Sequence, residues 1–291
     1  MEGTPEKTMN PESQERKPRV LLHIMRHGEK AGGNWNPDDM DHRIPLTDKG
    51  RQDAQEKHAG GDPRQGLAIG SGRIRADETA LRALVGDDPR IKDIDDFDEL
   101  VHEMDQELRV GSKLRTDSRL DIPFKKQGDL HEHLEKRASE IGYARAIAEE
   151  FDTAQYPRAT VYGVQAANLA SIVLDRITME RNWERLVERK PDEYTDTLER
   201  YIGTHGGVID AFIGEILTTL HGIDARNTFI KTFPNCTPYA SSCDIELLPD
   251  TDTVHVTMCI KRDDEEDFVL DEIVPLHVLE HIAGTGTHEE E

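Results

Sequence analysis

Cysteine is scarce in this chain. Its three residues, Cys236, Cys243 and Cys259, are too few and too scattered for a disulfide framework, and no two stand at metal-ligand spacing. A reducing, cytoplasmic compartment is the expectation. Long apolar runs are missing as well: none approaches the ~20 residues that a membrane helix needs. The segment Met1 to Pro18 is polar and rich in Pro and Glu, with no apolar stretch to serve as a secretory signal. Basic residues are outnumbered, with 36 Lys and Arg against 59 Asp and Glu and a net charge of −23. A chain of that sign repels nucleic acid and anionic lipid, which excludes both as expected partners. Any phosphate it binds must be held by a local basic cluster working against the global field.

What is present reads as alternating strands and helices. Residues 1–17 and 286–291 offer almost nothing to bury and are expected to be tails, leaving 18–285 as one domain. Arg19-Val-Leu-Leu-His-Ile-Met25 suits a short strand buried on both faces. Thr47 should cap a polar helix running from Asp48 to about His58, and Gly66 to Gly70 suits a second strand, with a helix starting near Arg75. The spacing of Leu130, Leu134, Ile141, Ala144, Ala148 and Phe151 predicts a helix, as does that of Leu169, Ile172, Val173 and Ile177. A polar helix is expected over Trp183 to Glu188. Thr197 to Thr204 reads as a strand feeding His205-Gly206-Gly207, and Ile209, Phe212, Ile213, Ile216, Leu217 and Leu220 then line one face of a strongly amphipathic helix. The stretches 244–248, 254–260 and 268–270 look like a β-meander, with the acidic run at Asp263 to Asp267 as a hairpin turn. The pattern predicts a three-layer α/β domain, a mostly parallel sheet with helices on both faces. Residues 86–128 are acidic and irregular, and the longer segment 86–156 is expected to be an insertion roofing the site.

Three motifs carry chemistry. Arg26-His27-Gly28 stands at a strand's carboxyl end, where open α/β sheets bind ligands. Arg26 brings a planar fork of donors suited to phosphate, His27 a nitrogen nucleophile, and Gly28 room for close backbone approach. Arg75 opens a helix, an electrostatic conflict that a bound anion would relieve, and Arg73 is a neighbour that could share the role. His205-Gly206-Gly207 exposes backbone N–H groups at the start of another helix, an anion site by construction. Together they supply two histidines and two arginines to a transferring phosphoryl group. His131 and His133 stand at i and i+2 on a helix, where they do not converge on a metal, and no metal or cofactor is expected.

These pieces, with Pro45-Leu46-Thr47-Asp-Lys-Gly50 and Arg75-Ala76-x-x-Thr79-Ala80, resemble the histidine phosphatase superfamily in its phosphoglycerate mutase-like branch. Residues 19–84 and 197–220 carry the likeness. The resemblance implies a phosphoglycerate mutase-like fold and a metal-independent phosphomonoester hydrolase acting on a small phosphorylated substrate. It implies that His27 becomes phosphorylated while Arg26, Arg75 and His205 hold the phosphoryl oxygens; the Gly206 backbone at the helix start is a further phosphate-binding candidate from its position alone. The family often has an asparagine six residues after the histidine. Gly33 occupies that position here, and Asn34, one residue late, is the candidate phosphate contact. The general acid is expected at Asp121, in Asp117-Ser-Arg-Leu-Asp121, with Glu99 as its competitor. A phosphoglycerate-type mutase and a catalytically weak phospho-ligand- or partner-binding module are the alternatives on the same residues.

Overall fold

A computed structural model describes residues 19–32, 43–108, 113–121, 136–143, 145–146, 148–149, 161–180, 185, 197–248, 251–262 and 266–284. Asn34, His131, His133, both tails, nearly all of the helix expected at 183–188 and much of that at 130–151 lie outside the described residues.

Seven strands form one sheet in the order β3-β2-β4-β1-β5-β6-β7. β1 (Arg19–Arg26), β2 (Leu67–Gly70), β3 (Leu114–Thr116) and β4 (Thr197–Thr204) run parallel. β5 (Ser242–Leu247), β6 (Thr253–Ile260) and β7 (Phe268–Pro275) extend the sheet antiparallel from β1, as the meander predicts. Among the described residues the helices are α1 (Asp48–Gln55), α2 (Ile74–Val85), α3 (Phe97–Leu108), α4 (Val161–Glu180), α5 (Gly206–His221), α6 (Ile223–Thr232) and α7 (Leu276–Gly284).

The period-two alternation of β1 sorts its side chains between two cores. Val20, Leu22 and Ile24 pack with Leu198 and Ile202 of β4 against α4, α5 and α7. Met25 packs on the opposite face with Tyr201 and Ala68 against α2 and α3. β1 is therefore covered on both faces and paired on both edges, which explains its near-continuous apolar sequence. The three layers follow from those two cores.

Several elements are absent from the sequence-based expectation. α3 was hidden in an acidic stretch, although Phe97, Leu100, Val101 and Met104 have helical spacing and pack on α2. β3 has three residues, too few for alternation to register. Thus residues 97–108 and 114–116 of the expected insertion contribute a helix and an edge strand to the body of the fold. α6 and α7 add apolar residues to the larger core, with Phe229 and Phe233 from α6 and its end and Leu279 and Ile282 from α7.

Candidate active site

The parallel register of β1 and β4 builds the site. Arg26 pairs with Thr204, so the residues that follow, His27 and His205, leave adjacent strands side by side. The His27 N–H donates to the Thr204 carbonyl at 2.8 Å, and the two imidazole rings meet edge-on with centroids 5.3 Å apart.

The loop after β1 is clasped by backbone contacts that admit no side chain. A Cβ on Gly28 would stand 2.5 Å from the Gly50 carbonyl oxygen, and one on Gly50 would stand 2.3 Å from that of Glu29. The Thr47 N–H donates to the Glu29 carbonyl, while its hydroxyl oxygen accepts from the Gly50 N–H at 3.0 Å and caps α1. Thr79 ties this loop to α2: its oxygen accepts from the Gly28 N–H at 3.0 Å, and its hydroxyl donates to the Arg75 carbonyl at 2.7 Å. Glu78 accepts from the Leu46 N–H and pairs with Arg82 at 3.1 Å, both side chains being buried. The Pro45-to-Gly50 and Arg75-to-Ala80 motifs are thus the scaffold that fixes His27.

His27 is buried, and its Nδ1 lies 2.8 Å from the Gly28 carbonyl oxygen. A carbonyl only accepts, so Nδ1 carries the proton and Nε2 keeps its lone pair. Burial, then the charge of Arg75, and more weakly those of Arg26 and Lys30, lower its pKa to about 3, against a smaller opposing effect of the Gly28 bond. The imidazole is therefore neutral across the physiological range.

Cations surround it. Arg26 donates from Nη1 to the Thr237 carbonyl, and its guanidinium lies 4.3 Å from the centroid of the Tyr239 ring. Its buried Nε has no partner among the described residues. A Cβ on Gly206 would approach that Nε to 2.9 Å, so glycine there leaves the guanidinium its place. Arg75 is buried in the first turn of α2 and depresses both histidines electrostatically. Buried His205 is held well below its ordinary pKa by desolvation first, then by His27, Arg75, Arg73 and Arg26. Its Nε2 lies 3.2 Å from the Ser71 hydroxyl and 3.5 Å from Asp121 Oδ1.

Asp121 closes the 3-10 turn Ser118–Leu120 that follows β3. Thr204 anchors this turn by donating to the Leu120 carbonyl at 2.8 Å. Asp121 is also ion-paired with buried Arg73, the N-cap residue of α2. Glu99 instead lies exposed in the first turn of α3. The structure therefore gathers Arg26, His27, Arg75, His205, Gly206 and Asp121.

Sequence reasoning missed three contributors, Ser71, Tyr239 and Asp210, and expected Arg73 to share an anion-binding role rather than pair with Asp121. Ser71 touches His205, and Arg73 reaches Asp121 rather than water. Tyr239 is 42 % exposed, with its ring centroid 5.5 Å from that of His27, and so lines the mouth of the site. Asp210 is buried and accepts from the N–H and hydroxyl of Thr237, the latter at 2.9 Å. Desolvation raises the Asp210 pKa to about 6 against the pull of Arg26. A lone carboxylate in the apolar run Val208 to Ile213 was a legible signal.

No family model and no curated protein matches the sequence. Among solved structures the chain is similar to mycobacterial hydrolase 1 at 20 % identity and a TM-score of 0.44, covering 88 % of this chain and 98 % of that one. It is similar to a mycobacterial glucosyl-3-phosphoglycerate phosphatase at 18 % identity and a TM-score of 0.42, over 78 % of this chain and 90 % of the other. A phosphoglycerate mutase from Bacillus anthracis aligns at 15 % identity and a TM-score of 0.36, over 92 % and 98 % of the two chains.

Proposed function

We propose that the protein is a metal-independent phosphomonoester hydrolase that works through a phosphohistidine on His27. The observation that carries this reading is a neutral His27, its Nδ1 proton fixed on Gly28, standing beside His205 among arginines in a chain of charge −23. A lone pair on Nε2 attacks phosphorus in line, and the P–O bond to the leaving group breaks. Arg26, Arg75 and the N–H of neutral His205 meet the equatorial oxygens, where charge concentrates in the transition state. The Gly206 N–H at the start of α5 adds a backbone donor on the same side. Asp121 handles the protons: it serves the leaving oxygen in the first step where that oxygen needs a proton, and it activates water in the second. The P–N bond then breaks and His27 returns neutral.

Rapid quench of the full chain with a ³²P-labelled phosphomonoester tests this reading. An acid-labile, base-stable phosphoenzyme is expected in the parent and none in His27→Ala, with inorganic phosphate as the released product. Undiminished turnover in His27→Ala would refute the mechanism, and return of label to a second position of the substrate would identify a mutase.

A further inference from the structure

The arginine that ends β1 is held by a loop, and the loop is held by a buried carboxylate. Arg26 Nη1 donates to the Thr237 carbonyl, and the Arg26 N–H donates to the Ser241 carbonyl at 2.9 Å. The Ala240 N–H donates to the His27 carbonyl at 3.3 Å. Loop 236–241 thus grips Arg26 and His27 through their backbone and the guanidinium. Its shape is not one the chain prefers. Cys236 (φ 67°) and Ala240 (φ 54°) are both left-handed, a conformation that is unfavourable for a residue with a Cβ and persists only where contacts hold it. Asp210, one turn into α5 and 1 % exposed, supplies the hold. Its carboxylate accepts from the Thr237 N–H at 3.2 Å, from the Thr237 hydroxyl at 2.9 Å and from the Cys236 thiol. Burial and Asp210 itself push that thiol well above its ordinary pKa, so it remains a donor. All three groups point protons at Asp210. The ionised carboxylate satisfies them with charge-assisted bonds, whereas the acid form would bring one more proton among donors.

We propose that Asp210 is a positioning residue for phosphate binding: its ionised carboxylate anchors loop 236–241 and, through the Thr237 carbonyl, holds Arg26 in the orientation that receives the phosphoryl group. This rests on the reading of Arg26 as a phosphoryl contact, made above. With Nη1 spent on Thr237, the Arg26 Nε faces Gly206 and has no partner among the described residues, so it is free for an anion at the start of α5. Phosphate affinity is then coupled to a buried group beyond the anion's reach. The groups acting on Asp210 are Arg26 from β1 and Thr237 and Cys236 from the loop, and desolvation outweighs them to raise its pKa to about 6. His205, at the start of the same helix, is neutral. Below that value the anchor is protonated and its hold on the loop weakens.

The test is calorimetric binding of inorganic phosphate to the full chain, in the parent, Asp210→Asn, Arg26→Gln and the double variant. Comparing proteins at one pH cancels the titration of phosphate itself, and His27 and His205 stay neutral over the range used. At about pH 7.5, Asp210→Asn should weaken binding about tenfold, the size of one hydrogen bond to a charged group. At about pH 5 the parent's own carboxylate is mostly protonated, and the difference should shrink to about twofold. In the Arg26→Gln background, Asp210→Asn should change nothing, because the carboxylate acts through that side chain. Should Asp210→Asn fail to fold, Thr237→Val reads the same point. It deletes the hydroxyl donor and leaves the carbonyl, so it should weaken phosphate binding in the parent and leave Arg26→Gln unaffected. Unchanged affinity, a loss equal at both pH values, or a loss that persists without Arg26 overturns the proposal. A parent that binds phosphate with this pH dependence but forms no phosphoenzyme in the rapid quench overturns the hydrolase reading alone. A parent that binds no phosphate overturns both.

Discussion

The depressed pKa of His27 has a stability signature that can be measured without any substrate. In the unfolded chain His27 takes up a proton near its ordinary value of 6.5, whereas in the folded protein it does so only near 3. Between those values the unfolded state binds the extra proton, so stability must fall as pH falls. Each pH unit is about 1.36 kcal/mol. At pH 4.5, two units below the unfolded value, His27 alone should cost about 2.5 kcal/mol relative to pH 7. The whole window, down to pH 3, amounts to roughly 4 kcal/mol. His27→Gln keeps an amide able to donate to the Gly28 carbonyl and cannot titrate. Urea unfolding of both proteins at pH 7 and 4.5 isolates the effect, because the carboxylates and the remaining histidines are common to both. The parent should lose about 2.5 kcal/mol more than the variant over that interval. Equal losses would mean that His27 is charged or solvated in the folded state, and its assignment as a neutral nucleophile would fall.

Three further outcomes follow from the scaffold. Gly50→Ala forces a Cβ to within 2.3 Å of the Glu29 oxygen. It should cost about 1–3 kcal/mol in urea unfolding, and an unaltered midpoint would refute the clasp. Glu78→Gln leaves buried Arg82 without its opposite charge and should destabilise by about 3–5 kcal/mol. Adding Arg82→Met should recover most of that loss, and a double variant no better than the single one would refute the pairing. Asp210→Ala removes the acceptor that holds Thr237, hence the carbonyl that orients Arg26. Vanadate should then inhibit about tenfold more weakly, the size expected from one hydrogen bond to a charged group. Unchanged inhibition would mean that Arg26 is oriented from elsewhere.

The site was legible where its chemistry coincides with a boundary between elements. Arg26 and His27, Arg75, and His205 each stand where an apolar run changes period, so local pattern alone marks them. The sheet was legible for the same reason at β1, whose burial on both faces leaves an apolar run without alternation. Asp121 lies at the end of a turn after a three-residue strand, and only the Thr204 bond to Leu120 shows why that turn sits where it does. The partnership of Arg73 with Asp121 spans 48 residues and leaves no periodic trace. Tyr239 was illegible for a related reason: its loop has no regular structure, with Cys236 and Ala240 both at positive φ, and its meaning comes only from the ring it presents to Arg26. α3 was missed because high charge was allowed to outweigh a helical spacing of apolar residues.

The central place of β1 also bears on how the chain is made. β1 leaves the ribosome before the other strands, yet both of its edges are filled by strands that come much later, β4 from Thr197 and β5 from Ser242. Until then His27 ends an apolar segment whose backbone groups on both sides await partners. The whole stretch from Arg26 to Ser242 must be synthesised before the strand that carries the reactive histidine is enclosed. A chain stopped before Ser242 would display one open edge of its most apolar strand. Truncation is therefore expected to produce an aggregating protein before it produces an inactive one.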